Sequence, residues 1–260
     1  MAKSIIKIQN FDLFENTLKS LNKIIKECKF IVNENGLTIY SQNNFARSEV
    51  KTNSITSDNI VEFCLNDISI LLKLLRTLRN ENSNKSDFLN IKFIYDQPFI
   101  KFESKKTKLR LATVKEDIIQ NSISREVKAE LTPVFEFNTS SNLIKNIESH
   151  SYIFQDIESA RIYLTINDNM EKNILYANIG NKNNDFSNFI TLKLGDIIFG
   201  SLDRDIVIDF DRLGLFNIID MDNIKIKLMD KNVLVSEINI LDKKTNTYLH
   251  IKLYNSLRKS

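Results

Sequence analysis

The sequence predicts an α+β protein in which antiparallel sheets are packed on one side by helices. Three observations carry this. Helical-period segments are separated by runs of several alternating strands, whereas a doubly wound parallel sheet needs helices between single strands. The order strand, helix, strands, helix, strands occurs twice along the 260 residues, as a pattern without residue-by-residue identity. Asn35-Gly36 stands between two apolar alternating runs, which is a strong short-range hairpin signal.

In the first half, residues 4–9 alternate and read as a strand. A helix is expected over 11–27. Phe14, Leu18, Leu21 and Ile25 recur there at helical spacing, and Lys19, Lys23 and Lys26 fall on the opposite side of a wheel of about 100° per residue. Strands follow at 29–33, 37–41, 47–55 and 60–65. A second helix over 66–80 repeats the design, with Ile68, Leu71, Leu72 and Leu75 on its apolar side and Lys73 and Arg76 opposite. Asn66 is its expected N-cap, with Asp67 in the first turn. Arg79 falls on the apolar side and is expected past the helix end. A polar loop over 82–87 leads to strands at 89–95, 99–103 and 108–114.

Residues 115–132 carry mixed charge and little periodicity, and read as a connector. The second half then opens with a strand at 134–138 and a helix at 140–149. Leu143, Ile144 and Ile147 point inward there, and Lys145 lies on the other side. Strands are expected at 161–166, 174–179, 189–194 and 205–209, then a short helix at 211–219 interrupted by Gly214. Strands at 223–229, 233–240 and 248–254 close the chain. The division is thus 1–114, a connector at 115–132, and 133–260.

Much ordinary chemistry is missing from this text. The net charge of +3 is too small for a nucleic-acid binder that works by bulk charge, so any anion binding must come from placement, as in the two stripes. Cys28 and Cys64 sit in apolar strand-like runs and read as buried free thiols in a reducing compartment. His150 and His250 have no companion ligand motif. The five glycines are scattered, so no phosphate-binding loop is present, and Gly-x-Ser-x-Gly is absent. The acidic pairs Asp209/Asp211 and Asp220/Asp222 imitate a metal site, but they flank the short helix, where dipole compensation explains them better. No cofactor or metal is expected. The start of the chain lacks the apolar stretch of a signal peptide, and no run is long enough to span a membrane, so an intracellular protein without a membrane partner is expected.

Several segments carry a family resemblance. TLKSLNKIIKECKFIVNENGLTIYSQNNFARSEVKTNSI (17–55) resembles the opening of sliding clamps of the proliferating-cell-nuclear-antigen type, where a basic helix leads into a strand, a glycine turn and further strands. FCLNDISILLKLLRTL (63–78) resembles their second helix with its preceding strand. IDFDRLGLFNII (208–219), KNVLVSEINI (231–240) and HIKLYNSL (250–257) resemble their last helix, the hairpin after it and the closing strand. The length and the two pattern-equivalent halves agree.

This resemblance implies a DNA clamp fold of two domains, with sheets outside and helices lining a central hole. Subunits would join head to tail as a homotrimeric ring through edges near 108–113 and 189–194. Duplex DNA, bound without regard to sequence, would pass through. A replicative DNA polymerase, a clamp loader and other proteins carrying a clamp-binding motif would be the partners, at sites of DNA replication in the nucleus, or in the cytoplasm of a bacterial, phage or cytoplasmic-virus system. The DNA-facing residues carried over are Lys19, Lys23, Lys26, Lys73, Arg76, Lys145 and Arg212. The partner pocket would draw on Phe45, Ile118, Ile119, Ile123, Leu253 and Tyr254. Gln42, Arg47 and Lys252 depart from the apolar or aromatic groups usual around that pocket, and the second half is less basic than the family pattern.

The expected function is therefore a DNA polymerase processivity factor without catalytic activity. One alternative is a monomeric or dimeric clamp-fold factor that binds DNA directly through its basic helix face. An alternative of another class is a nucleic-acid enzyme with a metal held by the carboxylates at 209, 211, 220 and 222.

Overall fold

The structure is a computed structural model that describes residues 4–22, 26–42, 46–81, 92–104, 107–119, 130–154, 156–157, 160–166, 173–181, 189–202, 205–209 and 222–257. The chain divides into two compact units, Met1–Glu126 with Ile238–Lys252, and Val127–Glu237 with Leu253–Ser260.

The first unit begins with β1 (Ser4–Ile8) and α1 (Phe11–Asn22), then β2 (Cys28–Asn33), β3 (Gly36–Gln42), β4 (Ala46–Thr52), β5 (Ile55–Ser57) and β6 (Val61–Leu65). After α2 (Ile68–Glu81) come β7 (Lys92–Asp96), β8 (Phe99–Glu103) and β9 (Lys108–Ala112). One of its sheets has the order β5-β1-β7-β8-β9. The predicted strand over 47–55 is in fact two strands in two sheets. β4 pairs with β3, while β5 pairs with β1. The break falls at Asn53-Ser54, where Ser54 N–H donates to Thr52 Oγ1 and the Ser54 carbonyl accepts from Gln9 and Asn10.

The β2–β3 hairpin forms with Glu34 and Asn35 as its turn and Asn33 opposite Gly36. Gly36 has φ +134°, and a Cβ there would collide with the carbonyl oxygen of Thr52. The glycine thus serves a close backbone approach as well as a turn.

α1 is shorter than its apolar period suggested. Asn10 caps it, accepting from Leu13 N–H at 2.9 Å. The same amide donates to Thr245 and Thr247 at 3.1 and 3.0 Å, which ties the start of α1 to the 238–252 segment of its unit. Phe14, Leu18 and Leu21 are fully buried, as are Ile68, Leu71, Leu75 and Leu78 of α2. Each such side chain contributes about 1.5–3 kcal/mol of burial. Phe93 packs on Phe102 at 4.5 Å between ring centres and on Phe14 at 6.5 Å, joining the helix to the sheet.

The second unit contains β10 (Pro133–Thr139), α3 (Ser141–Ser151), β11 (Arg161–Ile166), β12 (Ile174–Gly180), β13 (Phe189–Phe199), β14 (Ile206–Ile208) and β15 (Ile224–Met229). Its strands run in the order β14-β11-β12-β13-β10-β15, followed by β16 (Val233–Asp242). β16 and the last strand, β17 (Thr247–Ser256), contribute residues to both units. Within the first unit β17 neighbours β4, giving the order β17-β4-β3-β2-β6. β13 is longer than the predicted 189–194 because Gly195 lets it continue past a register shift; a Cβ at Gly195 would collide with the Asn138 carbonyl. Ser140 caps α3 by accepting from Leu143 N–H, and Ile144 and Ile147 are its fully buried residues. The expected helix over 211–219 lies outside the described residues.

Candidate nucleic-acid interface

Each helix of the first unit presents a narrow exposed stripe. On α2 the stripe consists of Ile70, Lys73, Arg76, Thr77 and Asn80, so Lys73 and Arg76 stand in solvent opposite the buried leucines. Asp67, rather than Asn66, caps this helix. Its carboxylate accepts from Ser69 N–H at 2.8 Å. Hydrogen bonding from the Ser69 side chain, and to a lesser extent from its N–H, holds the Asp67 carboxyl below the usual carboxylate range, with Lys26 and Lys73 pulling the same way.

The stripe on α1 differs from the expected one. Its exposed residues are Asp12 and Asn16, with Lys19 half-exposed beside them. Lys19 is ion-paired with Glu15 one turn earlier, Nζ to Oε1 at 2.8 Å. Glu15 is 1% exposed, and its other oxygen lies 2.9 Å from Arg79 Nη1. Arg79 also pairs with Asp12 and lies 5.7 Å from the centre of the Phe11 ring. Arg79 is therefore within α2, not past its end, and its charge is turned toward α1. Sequence reasoning missed this network. The Glu15–Lys19 spacing was legible; the arrival of Arg79 from another helix was not.

Lys26 is exposed, but at a bend before β2 rather than on the helix; its carbonyl accepts from Ile68 N–H at 2.9 Å. Lys145 is exposed on α3. Lys23 and Arg212 lie outside the described residues.

The residues expected at a partner surface are separated by the structure into accessible and inaccessible ones. Ile118 is 59% exposed in a 3-10 turn at Glu116–Ile118. Ile119 is buried against Cys64, Tyr40 and Val114, so it anchors the start of the connector. Lys29 pairs with both Glu116 and Glu62, at 2.9 and 3.2 Å, and Val114 N–H donates to the Cys64 carbonyl. Leu253 is fully buried and contributes packing instead of accessible surface, whereas its neighbour Tyr254 is half-buried on the other face of β17. Phe45 and Ile123 lie outside the described residues. Beside the connector's first residues is a cavity of about 290 Å³ lined by Lys29, Phe63, Tyr95, Pro98 and Glu116 among others.

Groups with reactive potential are occupied structurally. Cys28 and Cys64 are free and buried; desolvation raises both thiols, Cys64 to about 11. On adjacent strands Cys28 faces Leu65 and Cys64 faces Lys29, so the two thiols point to opposite sides of the sheet. Asp209 pairs with Arg161 at 3.0 Å. Asp211 and Asp220 lie outside the described residues, and Asp222 is exposed. Among the described residues no group of three or more His, Cys, Asp and Glu is placed to hold a metal ion. Among them, too, no helix is long and apolar enough to cross a membrane.

Solved structures match the whole chain. Proliferating cell nuclear antigen from Entamoeba histolytica aligns with a TM-score of 0.65 at 15% identity, covering 100% of both chains. The chain has the sliding-clamp fold. The antigen from A. fulgidus, solved with the C-terminal region of FEN-1 bound, aligns with a TM-score of 0.63 at 13% identity over 98% of this chain and 99% of that one. That from Thermococcus kodakaraensis gives 0.63 at 11% over 99% and 100%. No protein-family model and no curated protein matches the sequence. The likeness is carried by backbone architecture, since identity this low preserves few particular side chains.

Among the strands with an open edge in the described residues are β9 and β13, which hold the segments expected to join copies. β9 is terminal in its sheet and pairs with β8 alone. In β13, residues 189–193 pair with β12, while pairing with β10 is confined to Asp196–Phe199. Phe189, 43% exposed, lies on that open stretch.

Proposed function

We propose that this chain is the protomer of a DNA sliding clamp that encircles duplex DNA as a homotrimer and tethers a replicative polymerase. The observation that carries the reading is the end-to-end match to clamp structures at full coverage. The domains are taken as 1–114 and 133–260, joined by the connector at 115–132. The chain's part is mechanical, with no catalytic step. Lys73, Arg76 and Lys145 meet phosphates, with Lys23, Lys26 and Arg212 as further DNA-facing cations, while Lys19, also expected there, is engaged by Glu15. Contacts to phosphate carry no sequence information, which suits a ring that must slide. The open edges of β9 and β13 suit head-to-tail joining of copies, which would remove two unpaired edges. One structural neighbour was solved with the C-terminal region of FEN-1. By analogy, Phe45, Ile118, Ile123 and Tyr254 are taken as residues that receive partner segments, and a clamp loader opens the ring. The site of action is inside the cell, where DNA is replicated.

The modest net charge of +3 supports topological holding over direct adhesion. The deciding experiment loads the protein onto nicked circular DNA and raises the salt. A ring stays bound on the circle and leaves after the circle is cut. A directly binding monomer or dimer is lost from circle and linear DNA alike, in the same salt range.

A further inference from the structure

Lys19 and Arg79 are cations on the helix pair, yet each is met by a carboxylate of α1. The pairing is not an ordinary surface contact. Glu15 is 1% exposed, and a buried carboxylate is costly unless cations compensate it. Two do so, one on each of its oxygens. Arg79 is further held by Asp12 and by its position over the Phe11 ring. Both cations nevertheless keep a third or more of their side-chain surface in solvent, 35% for Lys19 and 38% for Arg79. They are near enough to solvent to meet a phosphate, and are restrained from doing so by their partners.

We propose that Asp12 and Glu15 are counter-charges that withhold Lys19 and Arg79 from DNA, so that the exposed Lys73 and Arg76 dominate the grip of this helix pair. The proposal rests on the sliding-clamp reading and says how strongly that clamp holds. Each phosphate contact adds to the counterions released on binding and so deepens the well from which the protein must move to slide. Cancelling two cations against two carboxylates keeps the helices shaped for a duplex while limiting the number of contacts.

The test measures binding of a short fluorescently labelled duplex by anisotropy across a salt series, with wild type, Asp12→Asn, Glu15→Gln, Arg79→Gln, the double variant Asp12→Asn/Arg79→Gln and Lys73→Glu/Arg76→Glu. Asp12→Asn and Glu15→Gln should bind more tightly at low salt. The log–log salt slope should steepen by roughly one for each cation that reaches a phosphate. The gain from Asp12→Asn should vanish in the Arg79→Gln background, because it acts through that guanidinium. A gain that persists there is simple loss of repulsion and overturns the proposal. Unchanged slopes in both carboxylate variants, alongside weakened binding by Lys73→Glu/Arg76→Glu, also overturn it and leave the clamp reading standing. If Lys73→Glu/Arg76→Glu binds like wild type, the DNA-facing role of these helices falls, and the proposal with it. Asp12 is exposed, so its variant remains informative if Glu15→Gln fails to fold.

Discussion

Asp67 shows how one side chain serves both local structure and charge. It closes the first turn of α2 through Ser69 N–H, and hydrogen bonding with the Ser69 side chain, helped by that N–H, lowers its pKa. A carboxyl lowered in the folded state stabilises the protein above its unfolded pKa and loses that contribution as pH falls through the folded value. Asp67→Ala should therefore cost about 1 kcal/mol in urea unfolding at pH 7. The difference from wild type should shrink as the pH is taken below the usual carboxylate range. An equal difference at both pH values would mean that the charge is not involved. At the same scale, Lys19 was legible as a cation on a helix face. That its charge is engaged by a buried Glu15 was legible only as an i,i+4 spacing, which on most helices is a weak surface pair.

At the scale of elements, the period-2 and helical patterns located most strands and the described helices, because burial on one face imposes those periods. The misplacements have specific causes. The strand expected over 47–55 changes sheets at Ser54, and an alternating pattern is blind to which sheet a strand joins. The helix expected to reach residue 27 is described to Asn22, with Lys26 in a bend. Gly36 was legible as a turn residue, but its contact with the Thr52 backbone depends on β4 arriving beside the hairpin. Gly36→Ala should destabilise the protein by more than about 1 kcal/mol, since it combines a positive φ with a collision. Chemical unfolding checks this; a loss of a few tenths would show that the hairpin relaxes around the methyl group.

For the whole molecule, the open edges of β9 and β13 make self-association the property to measure. Phe189→Asp places a charge on an exposed position of the β13 edge. It should shift the mass in solution from about three times 30.2 kDa toward the single-chain value while leaving the protomer's unfolding midpoint nearly unchanged. A mass unaffected by the substitution would place the interface elsewhere.

The sequence by itself determined the fold class, most element positions, the apolar cores of α1 and α2, and the exposure of Lys73 and Arg76. These follow from periodicity, which is local. The tertiary structure decided which cations remain available, because Arg79 meets Asp12 and Glu15 only when α2 packs beside α1. It decided that Ile119 anchors while Ile118 stays exposed, because the start of the connector lies against Cys64 and Tyr40. It also decided which strand edges stay open. Such pairings join residues far apart in the chain, and no local period encodes them.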